Sequence, residues 1–141
     1  MSERLILVGC VKGKRNGTHP AKDLYISPLF RKRRAYAERT GSAWFILSAK
    51  YGLLNPNEPV PSYDVTLKSM SAAQRREWSA WVVRQIVETG MDLANTTVEI
   101  HAGKDYRDFG LTTRLCDAGC KVVVPLAHLG IGSQLARYNE S

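Results

Sequence analysis

Four segments of the sequence combine glycine with lysine, arginine or histidine, the residue types that hold anionic ligands. Each segment follows an apolar run, and the four span residues 9–14, 48–52, 102–107 and 128–134. Glycine lets the backbone approach a ligand closely, and backbone N–H groups together with basic side chains attract phosphate. The pattern therefore predicts a site for a phosphate or a nucleotide.

The predicted binding residues differ in what they would contact. Lys12 and Lys14 would neutralise phosphates, and Tyr106 and Arg107 suit base stacking and phosphate contact, respectively. The alternatives are lysines that are only solvated, a Tyr106 that only packs, and a Cys10 that is a small buried residue rather than a nucleophile. The complete set of predicted binding residues is Cys10, Lys12, Lys14, Ser48, Tyr63, Tyr106, Arg107, His128, Gly130 and Gly132.

Lys50 and Tyr51 directly follow the second apolar run and are candidates for a catalytic role. A lysine at this place would bind phosphate or, if desolvated, act as an acid or a nucleophile. An ordinary surface lysine is the alternative for Lys50.

Four strands would position these segments. Residues 4–11, 44–47, 96–103 and 121–127 are the apolar runs, and continuous runs of this length are typical of strands buried on both faces. Residues 55–62 hold three prolines and are predicted to cross the surface without regular structure.

Helical patterns alternate with these strands. Ser27 and Gly41 bracket one helix, Ser71 opens a second of about eighteen residues with capping-box spacing, and residues 104–118 form a third. A short amphipathic helix closes the chain. The predicted fold is α/β, a three-layer sandwich with a four-stranded, mainly parallel sheet and helices on both faces. In such a sheet, ligands bind beyond the carboxyl ends of the strands.

Length and composition set limits on the class of protein. The chain has 141 residues, which predicts a single domain over residues 1–141, and its 44% hydrophobic content is within the globular range. No window contains the roughly 18 apolar residues of a membrane span, so we expect a cytoplasmic protein without a membrane partner. The three cysteines and three histidines lack metal-ligand spacing, and no dinucleotide or Walker A motif occurs, so no metal or cofactor is expected.

The net positive charge is concentrated near the amino terminus. Residues 1–41 carry ten Lys and Arg against three Asp and Glu, whereas residues 42–141 carry ten against ten. A concentrated positive charge favours an anionic partner such as nucleic acid. A basic surface without a ligand is the alternative, and the oligomeric state does not follow from the sequence.

Several strings of the sequence together resemble a known family. They are VGCVKGK, AKDLYISPLFRKRRAYA, WFILSAKYGLLNPNEPVPSYDVTL, AGKDYR and PLAHLGIGSQL, and they cover nearly the whole chain. The chain resembles a bacterial and phage family of unknown function that is related to the YaaA-like branch of the uracil-DNA-glycosylase-like superfamily. The resemblance implies a glycosylase-like fold and action on nucleic acid, with DNA favoured, or on nucleotides.

The activity that the resemblance implies is cleavage of the N-glycosidic bond of a modified or damaged base. Such a reaction needs a carboxylate that orients water or stabilises the sugar cation, and Asp64, beside Tyr63, is the candidate. A capping role is the alternative for Asp64. Glycosylases of this superfamily often carry their acid just after the first strand, where VGCVKGKRNG has none. A non-catalytic DNA-binding module and a nucleoside monophosphate N-glycosidase are the alternative functions.

Overall fold

A mixed five-stranded sheet forms the centre of the protein, for which the computed structural model describes residues 3–9, 14–126 and 129–139. In chain order, the sheet contains β1 (Glu3–Gly9), β3 (Ala43–Ser48), β4 (Gly52–Leu54), β6 (Thr96–His101) and β7 (Lys121–Val123). The spatial order is β4-β3-β1-β6-β7. Strands β3, β1, β6 and β7 are parallel, as their apolar runs predict, and their carboxyl ends therefore lie at one edge.

The prediction of four strands is wrong, because β4 is a fifth strand that pairs antiparallel with β3. It begins at Gly52, whose φ of 71° is in the left-handed region, and a Cβ there would lie 2.2 Å from the amide oxygen of Gln85. A three-residue strand after a tight turn is too short to produce a hydrophobic period of its own.

Six helices occur in the described residues, and the longer ones cover both faces of the sheet. They are α1 (Ala21–Leu24), α2 (Pro28–Thr40), α3 (Ala72–Glu88), α4 (Lys104–Arg107), α5 (Leu111–Asp117) and α6 (Ile131–Asn139). Helices α3 and α5 pack on one face, and α2 lies on the other with α6 beside it. This arrangement is the predicted three-layer α/β sandwich. No helix among the described residues has the length and apolar character needed to cross a membrane.

The predicted caps of α2 and α3 are confirmed. Ser27 Oγ accepts the Phe30 N–H at 3.1 Å, and Gly41 ends α2 with a φ of 68°. At the start of α3, Ser71 and Gln74 form the reciprocal capping box. Both helices thus begin where side-chain acceptors satisfy their first N–H groups.

Two segments differ from their predicted structure. The single helix expected over residues 104–118 is interrupted at Gly110, where a φ of 104° separates α4 from α5. Part of the proline-rich segment 55–62 is regular, because β5 (Pro59–Pro61) pairs antiparallel with β2 (Thr18–Pro20) in a ribbon outside the main sheet. A two-stranded ribbon tolerates proline because each strand has one free edge.

Candidate functional site

Two groups of residues lie at the carboxyl edge of the sheet. One surrounds the end of β3 and the other surrounds the ends of β6 and β7, with β1 between them. Adjacent strands are spaced by about 4.8 Å, so the ends of β3 and β6 lie about 10 Å apart. Three predicted site residues, Cys10, Lys12 and His128, lie outside the described residues.

The group at the end of β3, called here the tyrosine cluster, consists of Lys14, Tyr25, Ser48, Tyr51 and Tyr63. The hydroxyl oxygens of Ser48 and Tyr63 are 2.8 Å apart, and those of Tyr63 and Tyr25 are 2.5 Å apart. The ring of Tyr51 stands perpendicular to that of Tyr63 at 5.5 Å between centroids. A continuous chain of hydroxyls therefore runs through a group of aromatic rings.

Two lysines are held over the rings at this end of the sheet. The Nζ of Lys14 lies 4.6 Å from the centroid of Tyr63, and the Nζ of Lys50 lies 5.4 Å from that of Tyr51. Both distances allow cation–π attraction, which keeps the ammonium groups close to the ring faces. The structure thus brings five predicted residues together, and Tyr25 joins them as one that the sequence did not reveal.

Ser48 is the anchor of the tyrosine cluster. Its side chain is fully buried at the last position of β3, and its Oγ accepts the N–H of Tyr51 at 3.1 Å. The indole N–H of Trp78 on α3 donates to the Ser48 carbonyl oxygen at 2.8 Å. These bonds fix both the strand end and the turn that carries Lys50 and Tyr51.

Asp64 directly follows Tyr63 and is exposed. It forms no hydrogen bond or ion pair with another residue that the structure describes. The carboxylate is therefore accessible to solvent, on the residue that follows Tyr63 of the tyrosine cluster.

A cavity of about 190 Å³ occupies the other half of the edge. Of the predicted binding residues, Arg107 and Gly130 line it, together with Lys104 and Gln134, which belong to the predicted segments but were not predicted as binding residues. The remaining lining residues are Ile100, His101, Ala102, Gly103, Val124, Leu126, Leu129 and Tyr138.

Tyr106 and Gly132 are not among the residues that line this cavity. The ring of Tyr106 packs against that of Trp78 at 5.6 Å between centroids, on the face covered by α3. Gly132 is exposed on α6. The packing of Tyr106 matches the alternative stated for it from the sequence.

Behind the cavity lies a buried polar network of Arg33, Tyr36, Glu99, His101 and Tyr138. His101 Nδ1 lies 2.5 Å from the Tyr138 hydroxyl oxygen, and His101 Nε2 lies 2.9 Å from Glu99 Oε1. Tyr36 also donates its hydroxyl proton to Glu99 Oε1. Because an ionised carboxylate only accepts, the Nε2–H of His101 donates to Glu99.

The surroundings of these groups hold their protons in fixed places. The hydrogen bond from His101 lowers the pKa of Glu99, with a further contribution from Tyr36, although burial opposes both. Burial, followed by the hydrogen bond to Glu99, raises the pKa of Tyr36 to about 12. Burial also raises the pKa of Tyr138, against the effect of Arg33. At neutral pH, Glu99 is thus ionised and both tyrosines are protonated.

The run of four basic residues on α2, Arg31 to Arg34, is partly internal. Arg33 is 3% exposed and donates to the Gly9 carbonyl oxygen and to Gln134 Oε1, both at 3.2 Å. Arg34 forms ion pairs with Asp23 at 2.8 Å and Glu38 at 3.3 Å. Arg33 therefore ties α2 to the end of β1 and to α6, next to the cavity.

These features define an α/β protein whose sheet carries hydroxyls, rings and cations at its carboxyl edge. The chain belongs to the DUF6884 family, described as a family of unknown function, whose model matches residues 5–140. It is similar to the uncharacterized protein YfjM of Bacillus subtilis (strain 168), with 33% identity over 117 residues, which cover 74% of this chain and 73% of YfjM. No solved structure matches the chain.

Proposed function

We propose that this protein is an N-glycosidase that hydrolyses the bond between base and sugar in a nucleotide, either a modified one in DNA or a free one. The resemblance to the YaaA-like branch of the uracil-DNA-glycosylase-like superfamily is part of this proposal. The observation that carries it is the tyrosine cluster, next in sequence to the exposed Asp64, at the edge of the sheet where α/β proteins bind ligands.

The composition of the tyrosine cluster suits a base and its sugar. Aromatic rings stack on bases, and each such contact stabilises binding by about 1–3 kcal/mol. The hydroxyls of Tyr25, Ser48 and Tyr63 can exchange donor and acceptor roles, which suits the polar edge of a base. Lys14 and Lys50 supply positive charge next to the rings, which attracts an anionic nucleotide to this end of the sheet.

Asp64 is assigned the role of the acid–base group. Its carboxylate takes a proton from the attacking water, and the water oxygen bonds to the sugar carbon. The electron pair of the broken carbon–nitrogen bond stays on the base, which receives the proton. The negative charge of Asp64 also stabilises the positive charge that develops on the sugar.

The test measures release of free base by the full-length chain. DNA duplexes and single strands with assorted modified bases, and free nucleotides, are incubated with the protein, and products are detected by alkaline strand scission and by chromatography. We expect base release that Asp64→Asn reduces at least about 100-fold, since acid–base catalysis contributes 10²–10⁴-fold.

Asp117→Asn is the matched control. Asp117 is exposed at the end of α5, shortly before β7 begins, and so lies toward the opposite edge of the sheet. The control should retain full activity. Undiminished base release by the Asp64→Asn variant would refute the assigned mechanism.

The excess of positive charge in residues 1–41 favours one second candidate, a nucleic-acid-binding module without catalysis. Such a module would bind DNA with an affinity that falls steeply between about 50 and 200 mM salt, and it would release no base. The intramolecular contacts of Arg33 and Arg34 reduce the positive charge that α2 offers to a polymer. We therefore rank this candidate second.

A further inference from the structure

We infer that the cavity at the ends of β6 and β7 binds a terminal phosphate, that is, a phosphate monoester. The inference rests on the proposed function and narrows its substrates to nucleotides that carry such a group. These are free nucleoside monophosphates and the phosphorylated ends of a nucleic acid strand. Nucleotides inside a strand carry only phosphodiesters.

The size of the cavity limits its occupant to one part of a nucleotide. Its volume of about 190 Å³ is smaller than the roughly 300–1,000 Å³ of pockets that enclose a drug-sized molecule. It exceeds the roughly 10–15 Å³ that a cavity needs, by the same measure, to hold one water. A phosphate group fits this space, whereas a whole nucleotide extends beyond it.

The charge of the lining selects an anion. Lys104 and Arg107 are three residues apart on α4 and both line the cavity. Neither forms an ion pair with another described residue, and the described lining residues include no Asp or Glu. The Nε–H of Arg107 donates to the Ala102 carbonyl oxygen at 2.9 Å, and this bond orients the guanidinium group. The other N–H groups of Arg107 remain available to a ligand.

Two acids near the cavity, Asp105 and Glu99, are held by other partners. Asp105, between the two cations on α4, pairs with Arg75 of α3 at 3.1 Å. Glu99 accepts from His101 and Tyr36 and pairs with Arg4 at 3.2 Å. These contacts satisfy both carboxylates, so the two cations at the cavity remain available to a ligand.

One neutral donor adds to the two cations. The Gln134 amide donates one N–H to the Leu129 carbonyl oxygen at 2.9 Å and has a second N–H, whereas Tyr138 and His101 bond to each other in the buried network. A phosphate monoester carries a charge of about −1.5 to −2 at pH 7 and offers three strong acceptor oxygens. Two cations therefore match a monoester better than a diester, which carries a single charge and must continue as a chain on both sides.

The position of the cavity suits one ligand that reaches both groups of residues. The tyrosine cluster lies at the end of β3 and the cavity at the end of β6, two strands that flank β1 and are about 10 Å apart. A nucleotide with its base on the tyrosine cluster would direct its phosphate along the edge of the sheet toward Lys104 and Arg107.

The test begins with calorimetric titration of the full-length protein with inorganic phosphate at constant ionic strength. We expect binding that Lys104→Ala weakens about tenfold, the contribution of one charge-assisted hydrogen bond. Lys104 is exposed and unpaired among the described residues, so its loss should leave the fold intact. The control is Lys121→Ala, at the start of β7 and therefore at the opposite edge, which should change affinity less than twofold.

The second part of the test distinguishes a free nucleoside monophosphate from the phosphorylated end of a nucleic acid strand. Uridine is compared with uridine 5′-monophosphate, and a single-stranded oligonucleotide with a 5′-hydroxyl is compared with the same strand bearing a 5′-phosphate. The 5′-phosphate should raise affinity in each pair, and Lys104→Ala should remove most of that gain. A gain only in the first pair assigns the site to free nucleotides. Equal affinities in both pairs, or equal losses in Lys104→Ala and Lys121→Ala, would overturn the inference.

The result also distinguishes this inference from the proposed function. Base release from internal nucleotides of DNA without terminal phosphates, undiminished by Lys104→Ala, would refute the phosphate site and leave the N-glycosidase. Phosphate binding that depends on Lys104, without base release from any substrate, would support the phosphate site and refute the N-glycosidase.

Discussion

The two faces of strand β6 are built from opposite chemistry. On one face, Val98 and Ile100 are buried against the apolar side chains of α3 and α5. On the other face, Glu99 and His101 are equally buried but bond to Tyr36 of α2 and Tyr138 of α6. Strand β6 thus carries a hydrophobic core on one side and a hydrogen-bonded network on the other.

The difference indicates a division of roles within one strand. Burial of apolar surface contributes about 25 cal/mol per Å² and does not require side chains to take one particular orientation. The apolar face therefore stabilises the fold. A fully satisfied buried polar network fixes side chains in single orientations, and it costs stability when one member is lost. The polar face ends at the cavity, where such orientation would serve a ligand.

The largest effect is expected from the apolar face. Leu7 of β1 pairs with Ile100 of β6 and is fully buried in the same cluster. Leu7→Ala should lower the free energy of unfolding by about 2–5 kcal/mol, measured by urea denaturation, because it removes buried methyl groups and leaves a cavity. Val123→Ala, at a site that is 36% exposed, is the control and should cost much less. A loss below 1 kcal/mol for Leu7→Ala would show that this face is not the tightly packed one.

A smaller effect is expected from the polar face. Glu99→Leu leaves the buried Nε2–H of His101 and the hydroxyl of Tyr36 without their acceptor, which should cost about 1–3 kcal/mol in the same assay. Glu99→Gln, which keeps an acceptor, should cost less. An exposed acid, Glu88, changed to Leu provides the control. Equal stability of the Glu99→Leu variant and the wild type would contradict the structural role of the network.

The smallest effect is a change in pH dependence. The folded state raises the pKa of Tyr36 from 10.0 to about 12, so the folded protein holds this proton more tightly than the unfolded chain. The resulting stability is fully present below pH 10 and is lost as the pH rises toward 12. Tyr36→Phe should flatten this part of the stability profile, measured by urea denaturation at stepped pH. If stability changes with alkaline pH in the same way in both proteins, Tyr36 does not take part in the network.

Local signals predicted much of the fold. Residues three positions apart predict the caps at Ser27 and Ser71. Continuous apolar runs predict the four parallel strands. The break at Gly110 was missed because a glycine within a helical pattern does not reveal its φ. Strand β4 was missed because its pairing with β3 depends on a turn rather than on a hydrophobic period.

The candidate site was predicted only where its residues follow strands. Ser48 is the last residue of β3, Tyr51 and Arg107 come soon after β3 and β6, and strand ends are where ligands are expected. Glu99 and His101 had a usable signal, since polar residues two apart in a strand share a face. Their partners had none: Tyr36 is 63 residues from Glu99, and Tyr138 is 37 residues from His101. Contacts of this range depend on how α2 and α6 pack, which no local pattern gives.

The most direct measurement is a crystal structure of the protein with a bound nucleoside 5′-monophosphate. The proposed site predicts electron density for the base against Tyr63, within reach of Asp64, and for the phosphate beside Lys104 and Arg107. A nucleotide bound at the amino edge of the sheet, or on the outer surface of α3, with the carboxyl edge empty, would contradict it.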